Sequence, residues 1–228
     1  MSTAHRNWYN SNWPAVSRGS STWHFDNAKV PEPGIDSYTV VGRVELPADW
    51  QQDIDPELLT TAAWNRLIAA TPDQELQQKL TQNLEVVGQN PEHGMFDTVN
   101  ITHLPVAQKL AQALGLANSI SRLHIQRPGQ LLNMHIDDLA SEDQDPGEIR
   151  RFIIAVEDWY PGQVFQLGNA VWSQWRAGDC VTWSWKDIPH GSANFGWNDR
   201  PMIQITGYVT ELTQQLVDQA SGDQNIKL

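Results

Sequence analysis

Cysteine is nearly absent from this chain. Cys180 stands alone among 228 residues, so no disulfide can form within it. Long apolar runs are absent too: none reaches the roughly 20 residues that a membrane-spanning helix needs. Residues 1–12 are polar and lack the apolar core of a signal segment. Together these absences predict a cytoplasmic protein with no membrane contact. Basic side chains are scarce, with 15 Lys and Arg against 27 Asp and Glu, for a net charge of −12. A nucleic-acid groove needs clustered cations, so no nucleic-acid partner is expected. The acidic surface favours a neutral or cationic partner instead. Internal repeats and low-complexity tracts are missing as well.

What remains is an ordinary globular composition, 40% apolar and 18% charged. At 25.7 kDa the chain is long enough for one sizeable core or at most two small ones. We expect one domain over 1–228. It would hold an N-terminal arm over 1–37, a strand and helical support over 38–119, a jelly-roll core over 120–210 and a C-terminal helix or tail over 211–228. Tryptophan is abundant, at 11 residues. Trp8, Trp13 and Trp23 lie in the arm, which is otherwise Ser, Asn, Gly and Pro. They either help shape a pocket at the mouth of the core or pin an irregular segment to the surface.

Residues 38–46 (YTVVGRVEL) are β-branched and end at Pro47, as a strand would. Asp55-Pro56 reads as a helix start, with Leu58, Leu59, Ala62, Ala63, Leu67 and Ile68 giving a helical period to about Ala70. Thr71-Pro72 repeats the start signal, and Leu76, Leu80 and Leu84 form one stripe. A loop over 88–94, a strand over 96–102 and a helix over 105–116 follow, the helix ending near Gly115. From Ile120 the texture changes. Strand-like runs at 120–127, 130–137, 150–157, 163–167, 171–175, 179–186 and 202–210 are broken by Pro-Gly or Gly-Asp punctuation. About eight short strands in succession suggest a double-sheet jelly roll.

The chemistry is concentrated in Asn133-Met134-His135-Ile136-Asp137, with His190 and Arg200 downstream. In a strand alternate residues share a face, so Asn133, His135 and Asp137 point one way. Asp138 has the wrong parity and is read as a bystander. His135, Asp137 and His190 are the candidate catalytic residues and ligands of one Fe(II). Two nitrogens and a carboxylate on one face of an octahedral ion leave its other positions open. Arg200 stands ten residues after His190, at the head of a strand-like run. A guanidinium grips carboxylates bidentately, and one buried beside a metal needs an anion to offset its desolvation.

His135-x-Asp137, then His190, then Arg200 resembles the Fe(II)/2-oxoglutarate-dependent oxygenase superfamily. The lead-in Trp175-Arg176-Ala177-Gly178-Asp179 and the His190-to-Arg200 spacing are most similar to its aspartyl/asparaginyl β-hydroxylase-like branch. The resemblance covers about residues 120–210. It implies a mainly β protein with supporting helices around a double-stranded β-helix (jelly-roll, cupin-like) core. It also implies 2-oxoglutarate as co-substrate, with O2, and a hydroxylation that releases succinate and CO2. Arg200 would anchor the distal carboxylate of 2-oxoglutarate, and Arg151 would help to hold the co-substrate. Members of the branch often lack the middle carboxylate that Asp137 supplies here. In the superfamily's halogenases that position is small, so a carboxylate favours hydroxylation. The substrate implied is an aspartyl or asparaginyl group, peptidyl or free, or another small metabolite.

Other residues carry two readings each. Arg150 and Arg151 could equally pair with neighbouring acids. The acidic loop over 139–148 is a mobile lid or a solvated hairpin loop. Ser192 and Asn194 support the ligands or, the simpler expectation, are turn residues. His124 or Gln126 faces the co-substrate or the substrate, or His124 is a core histidine with a satisfied partner. Trp172, Trp175, Trp183, Trp185 and Trp197 rim the mouth or pack in the core. Cys180 packs as a small hydrophobe. His5, His24, His93 and His103 have no ligand-like spacing. Two other classes fit the ligand set: a non-catalytic cupin-like protein that binds a small acid, and a zinc-dependent hydrolase, which would leave Arg200 without a role.

Overall fold

A computed structural model describes residues 38–70, 72–86, 90, 92–135, 137 and 148–228. The tryptophan arm over 1–37 and the acidic loop, Glu148 excepted, lie outside the described residues.

Three strands precede the barrel: β1 (Thr39–Val44), β2 (Thr60–Ala63) and β3 (Gly94–Asn100). Eight follow: β4 (Ala117–Gln126), β5 (Leu131–His135), β6 (Ile149–Ala155), β7 (Gln163–Leu167), β8 (Ala170–Trp172), β9 (Asp179–Thr182), β10 (His190–Asn194) and β11 (Arg200–Tyr208). A short β12 (Asn225–Ile226) pairs with β1. The pairing of the middle eight is nested. β4 pairs with β11, β5 with β10, β6 with β9 and β7 with β8, all antiparallel. An antiparallel ribbon that folds back on itself in this way is a jelly roll. Contacts of β11 with β6 and of β10 with β7 close it into two facing sheets, β9-β6-β11-β4 and β5-β10-β7-β8. The larger sheet is extended to eight strands by β12 and β1 on one edge and by β3 and β2 on the other.

Strand parity divides the core into two layers. Phe152 and Ile154 of β6, Ile203 and Ile205 of β11 and Cys180 of β9 face outward. They pack with Val106, Ala107 and Leu110 of α3 (Pro105–Ala113), which the sequence predicted. Ile153, Ala155, Val181 and Met202 face into the barrel, against Phe165, Trp172, Trp175, Trp183 and Trp185. These four tryptophans are core residues, whereas Trp197 is 95% exposed.

Several elements differ from expectation. The helix expected over residues 56–70 is a 3-10 turn at Pro56–Leu58, then β2, then α1 (Trp64–Ala70). Thr60 and Thr61 are β-branched and sit on a sheet edge, where pairing with β3 and the Thr61 hydroxyl on Asp97 (2.8 Å) win over a weak helical period. α2 (Gln74–Val86) starts after Asp73, whose side chain accepts from the Glu75 amide. The strand expected over 179–186 stops at Thr182, because Ser184 accepts backbone bonds from Asp187 and Ile188 and turns the chain. Ser192 and Asn194 lie in β10 rather than in a turn, and both are buried. After α4 (Glu211–Asp218) the chain returns to the sheet as β12.

Candidate metal centre

His135 ends β5, His190 begins β10, and the two are directly opposite in register. Between His190 and Ser192 the register shifts by one residue, a bulge that aims neighbouring side chains. Gly191 makes it possible. A Cβ there would meet the Leu132 carbonyl oxygen at 2.8 Å and backbone atoms of Asn133 and Met134 at 3.0 Å. The imidazoles therefore face each other, with ring centroids 4.4 Å apart.

Asp137 lies two residues past His135, beyond the end of β5. Its carboxylate oxygens stand 3.4 Å from Nε2 of His135 and 3.1 Å from Nε2 of His190. Ligand atoms of the three residues all fall within 4.8 Å of one another, close enough to hold one metal ion. The hydrogen bonds assign the tautomers. Nδ1 of His135 lies 2.8 Å from the Asn133 carbonyl, and Nδ1 of His190 lies 3.1 Å from the Ile188 carbonyl. A carbonyl only accepts, so each Nδ1 carries the hydrogen and donates it. Each Nε2 then presents a lone pair. Burial pushes the His135 imidazole down to about 4, opposed by its bond to Asn133. Burial, then the neighbouring His135, push His190 well below the ordinary histidine value. Both rings are neutral near pH 7. Two lone pairs and a carboxylate thus confront one another with no proton between them, an arrangement that a cation resolves.

Arg151 reaches the same carboxylate. It donates to Asp137 through Nη1 and to the Thr206 hydroxyl through Nε (3.0 Å), and its guanidinium lies over the Trp185 ring at 5.5 Å. Burial lowers it to about 10, so it stays charged. The structure thus places Arg151 on the carboxylate of the trio. Arg150, one residue away, takes the outward parity and feels the charge of Asp218.

Arg200 opens β11 and is only 5% exposed. Its guanidinium lies 5.5 Å from the Phe165 ring. Phe165 meets Trp183 at 5.7 Å, and Trp183 meets His190 at 4.9 Å. An aromatic wall thus joins Arg200 to the metal trio. Burial lowers the Arg200 guanidinium to about 9, so it too is charged. Its Nε and Nη1 have no hydrogen-bond partner among the described residues. A buried charge left so costs several kcal/mol, roughly the penalty of taking one ion out of water. The cost is met when an anion binds.

The remaining candidates are placed as follows. Gln126, 1% exposed, donates to the Met95 carbonyl (3.1 Å) and to Ser192 (3.3 Å), tying the two sheets together. Asn194 donates to the carbonyls of Gln126 and Asn198. Ser192 and Asn194 therefore join β10 to β4. His124 stacks on Phe96 at 4.5 Å. Cys180 is fully buried in the outer layer, as a small hydrophobe would be. Thr206 and Gly191 were not singled out as site residues by sequence. The parity of Thr206 with Arg200 was the available sign for the first, and the His190-Gly191 pair was the sign for the second.

No protein-family model matches the chain, and a search of curated proteins finds no relative. Solved structures are similar to part of the chain. One is the non-haem α-ketoglutarate-dependent epimerase SnoN from nogalamycin biosynthesis, 12% identical, with 65% of this chain and 76% of that one covered at a TM-score of 0.40. Another is a cupin 2 conserved barrel domain protein from Salinispora arenicola, 13% identical over 54% of this chain and 84% of its own, at 0.33. A third is a predicted oxalate decarboxylase from Thermotoga maritima, 12% identical over 50% and 81%, at 0.33. These likenesses concern the barrel alone. The nested strand pairing defines the chain as a cupin-type, double-stranded β-helix protein with a group able to hold a metal. Among the described residues no helix is long and apolar enough to cross a membrane.

Proposed function

We propose that this protein is an Fe(II)- and 2-oxoglutarate-dependent dioxygenase that hydroxylates an amino-acid, peptidyl or small-metabolite substrate. One observation carries the reading. An all-acceptor trio, His135, Asp137 and His190, shares the barrel interior with a buried guanidinium that lacks partners at two of its nitrogens among the described residues. The trio fits a divalent metal, and the guanidinium fits the distal carboxylate of a dicarboxylic co-substrate. When bound, iron and 2-oxoglutarate supply, with O2, the oxidising power for C–H hydroxylation, leaving succinate and CO2.

The chain's own residues do the rest. His135 and His190 would bind through Nε2, each ring fixed by its Nδ1–H on a backbone carbonyl. Asp137 would give a carboxylate oxygen, steered by Arg151, which Thr206 holds in turn. Arg200 would bind and orient the co-substrate. Trp183 and Phe165 form an apolar wall between Arg200 and His190 and would keep water from the path between them. We read the protein as cytoplasmic, in keeping with a single buried cysteine.

The test is succinate release by anaerobically purified protein given Fe(II), 2-oxoglutarate and then O2. Slow uncoupled succinate formation that vanishes in His190→Ala is the expected result. Absence of 2-oxoglutarate binding by calorimetry sinks the proposal. Oxygen-insensitive hydrolytic turnover with zinc would replace it by the hydrolase reading.

A further inference from the structure

The acids of this chain avoid the strands of the barrel. Its 27 Asp and Glu leave a single one, Asp179, in the eight strands β4–β11, against four arginines: Arg122, Arg150, Arg151 and Arg200. Asp179 is held by Arg43 of β1 at 2.8 Å. Arg151 is held by Asp137. Arg150 faces outward under the charge of Asp218. Arg200 is the proposed anchor of the co-substrate. Arg122 is left, and its side chain makes no hydrogen bond or ion pair among the described residues.

We infer that Arg122 receives an oxyanionic group of the prime substrate, a carboxylate or a phosphate, at the open end of the barrel's inner face. Its position supports this. Leu123 packs in the outer layer, so Arg122 and His124, its neighbours in parity, face inward. Arg122 lies opposite Gln204 of β11. The next inward residue on β11 is Thr206, which takes the Arg151 bond. Diagonal neighbours on paired strands stand roughly 7–8 Å apart, within reach of a long side chain. An anion on Arg122 is therefore about one side-chain length from the chain of contacts Thr206–Arg151–Asp137. Unlike Arg200, Arg122 is exposed, as a group that meets an incoming molecule must be. Its charge is felt inside: after burial, it leads Arg151 and Arg200 in pushing the His124 imidazole down to about 3. The acidic exterior pointed to a neutral or cationic partner, but the inner face is charged the other way and selects an anion.

The inference rests on the proposed co-substrate reading, because Arg200 is assigned by it. The test uses sulfate as an oxyanion probe. Protein loaded anaerobically with Fe(II) and saturated with 2-oxoglutarate is titrated with sodium sulfate by calorimetry. One sulfate per chain is expected. Arg122→Gln should weaken it about tenfold or more, and Arg122→Lys should restore part of the loss. Lys109→Gln, an exposed change on α3, should leave it as in the wild type, which separates a site from general charge. A missing isotherm, or one that Arg122→Gln leaves unmoved, overturns the inference. If the protein takes up no 2-oxoglutarate, the co-substrate reading falls on its own. The sulfate titration of Arg200→Gln protein then decides this one: Arg122-dependent binding keeps it, and binding indifferent to Arg122 ends it.

Discussion

The two faces of the larger sheet are built from the same strands and have opposite characters. Along β6, Phe152 and Ile154 look outward onto α3, while Arg151, Ile153 and Ala155 look inward. Along β11, Ile203 and Ile205 look outward, while Arg200 and Met202 look inward. The outer face is mostly apolar and close-packed around these residues. The inner face mixes apolar side chains with guanidiniums and an imidazole, at a cost in desolvation. A period of two residues thus separates what holds the barrel together from what equips it to bind.

That separation can be broken or sharpened by experiment. The largest effect is expected on the inner face, from His190→Ala. Metal affinity should fall by more than the roughly 10–100-fold lost with a residue that only supports a ligand. Calorimetry with Mn(II), with circular dichroism to check the fold, measures it. Phe152→Ala, one residue from Arg151 on the outer face, should cost about 3–5 kcal/mol in urea denaturation, with metal affinity unchanged in the folded protein. A change in metal affinity there would erase the division between the faces. Arg200→Met should do the reverse. Replacing a buried, incompletely paired cation with an apolar chain should stabilise the ligand-free protein by about 1–4 kcal/mol. The same change should weaken 2-oxoglutarate binding by about 1.5–3 kcal/mol. A lower melting temperature would mean that Arg200 has partners in the ligand-free state.

The smallest effect is a slope. His124 sits at about 3 in the folded protein, against 6.5 for an ordinary histidine. Between those values the unfolded state binds the proton and the folded state does not. Stability is therefore full above pH 6.5 and is lost as pH falls from 6.5 towards 3. One such histidine contributes at most about 1.4 kcal/mol per pH unit. His124→Gln should remove that share from the pH dependence of denaturation measured on metal-free protein. An unchanged slope would mean that His124 titrates normally.

Much of this was legible in the sequence because strands write their burial at a period of two. The run from Ile120 onward and the head of β11 at Arg200 follow from that period, whereas β5 ends at His135 and Asp137 lies beyond it. β10 was missed because His190-Gly191-Ser192-Ala193-Asn194 has few β-branched or large apolar residues. It is a strand because Gly191 lets it lie close against β5, a tertiary reason that local propensity does not carry. The helical period over residues 56–70 failed for a related reason, since a sheet edge took Thr60–Ala63 from it. The bond from Arg151 to Asp137 was out of reach, because it joins the residue that ends one ligand pair to a strand across the acidic loop.

The facing histidines have one more consequence. His135 and His190 lie on neighbouring strands, 55 residues apart in the chain (190 − 135). A metal ion shared between them would be a reversible cross-link that closes that long loop, in a protein whose single cysteine denies it a disulfide. Such a clasp adds stability that grows with metal concentration above the dissociation constant. It would be felt first where β5 meets β10. In the metal-loaded protein the backbone amides of that seam should exchange most slowly, and a chelator should loosen the smaller sheet before the larger one.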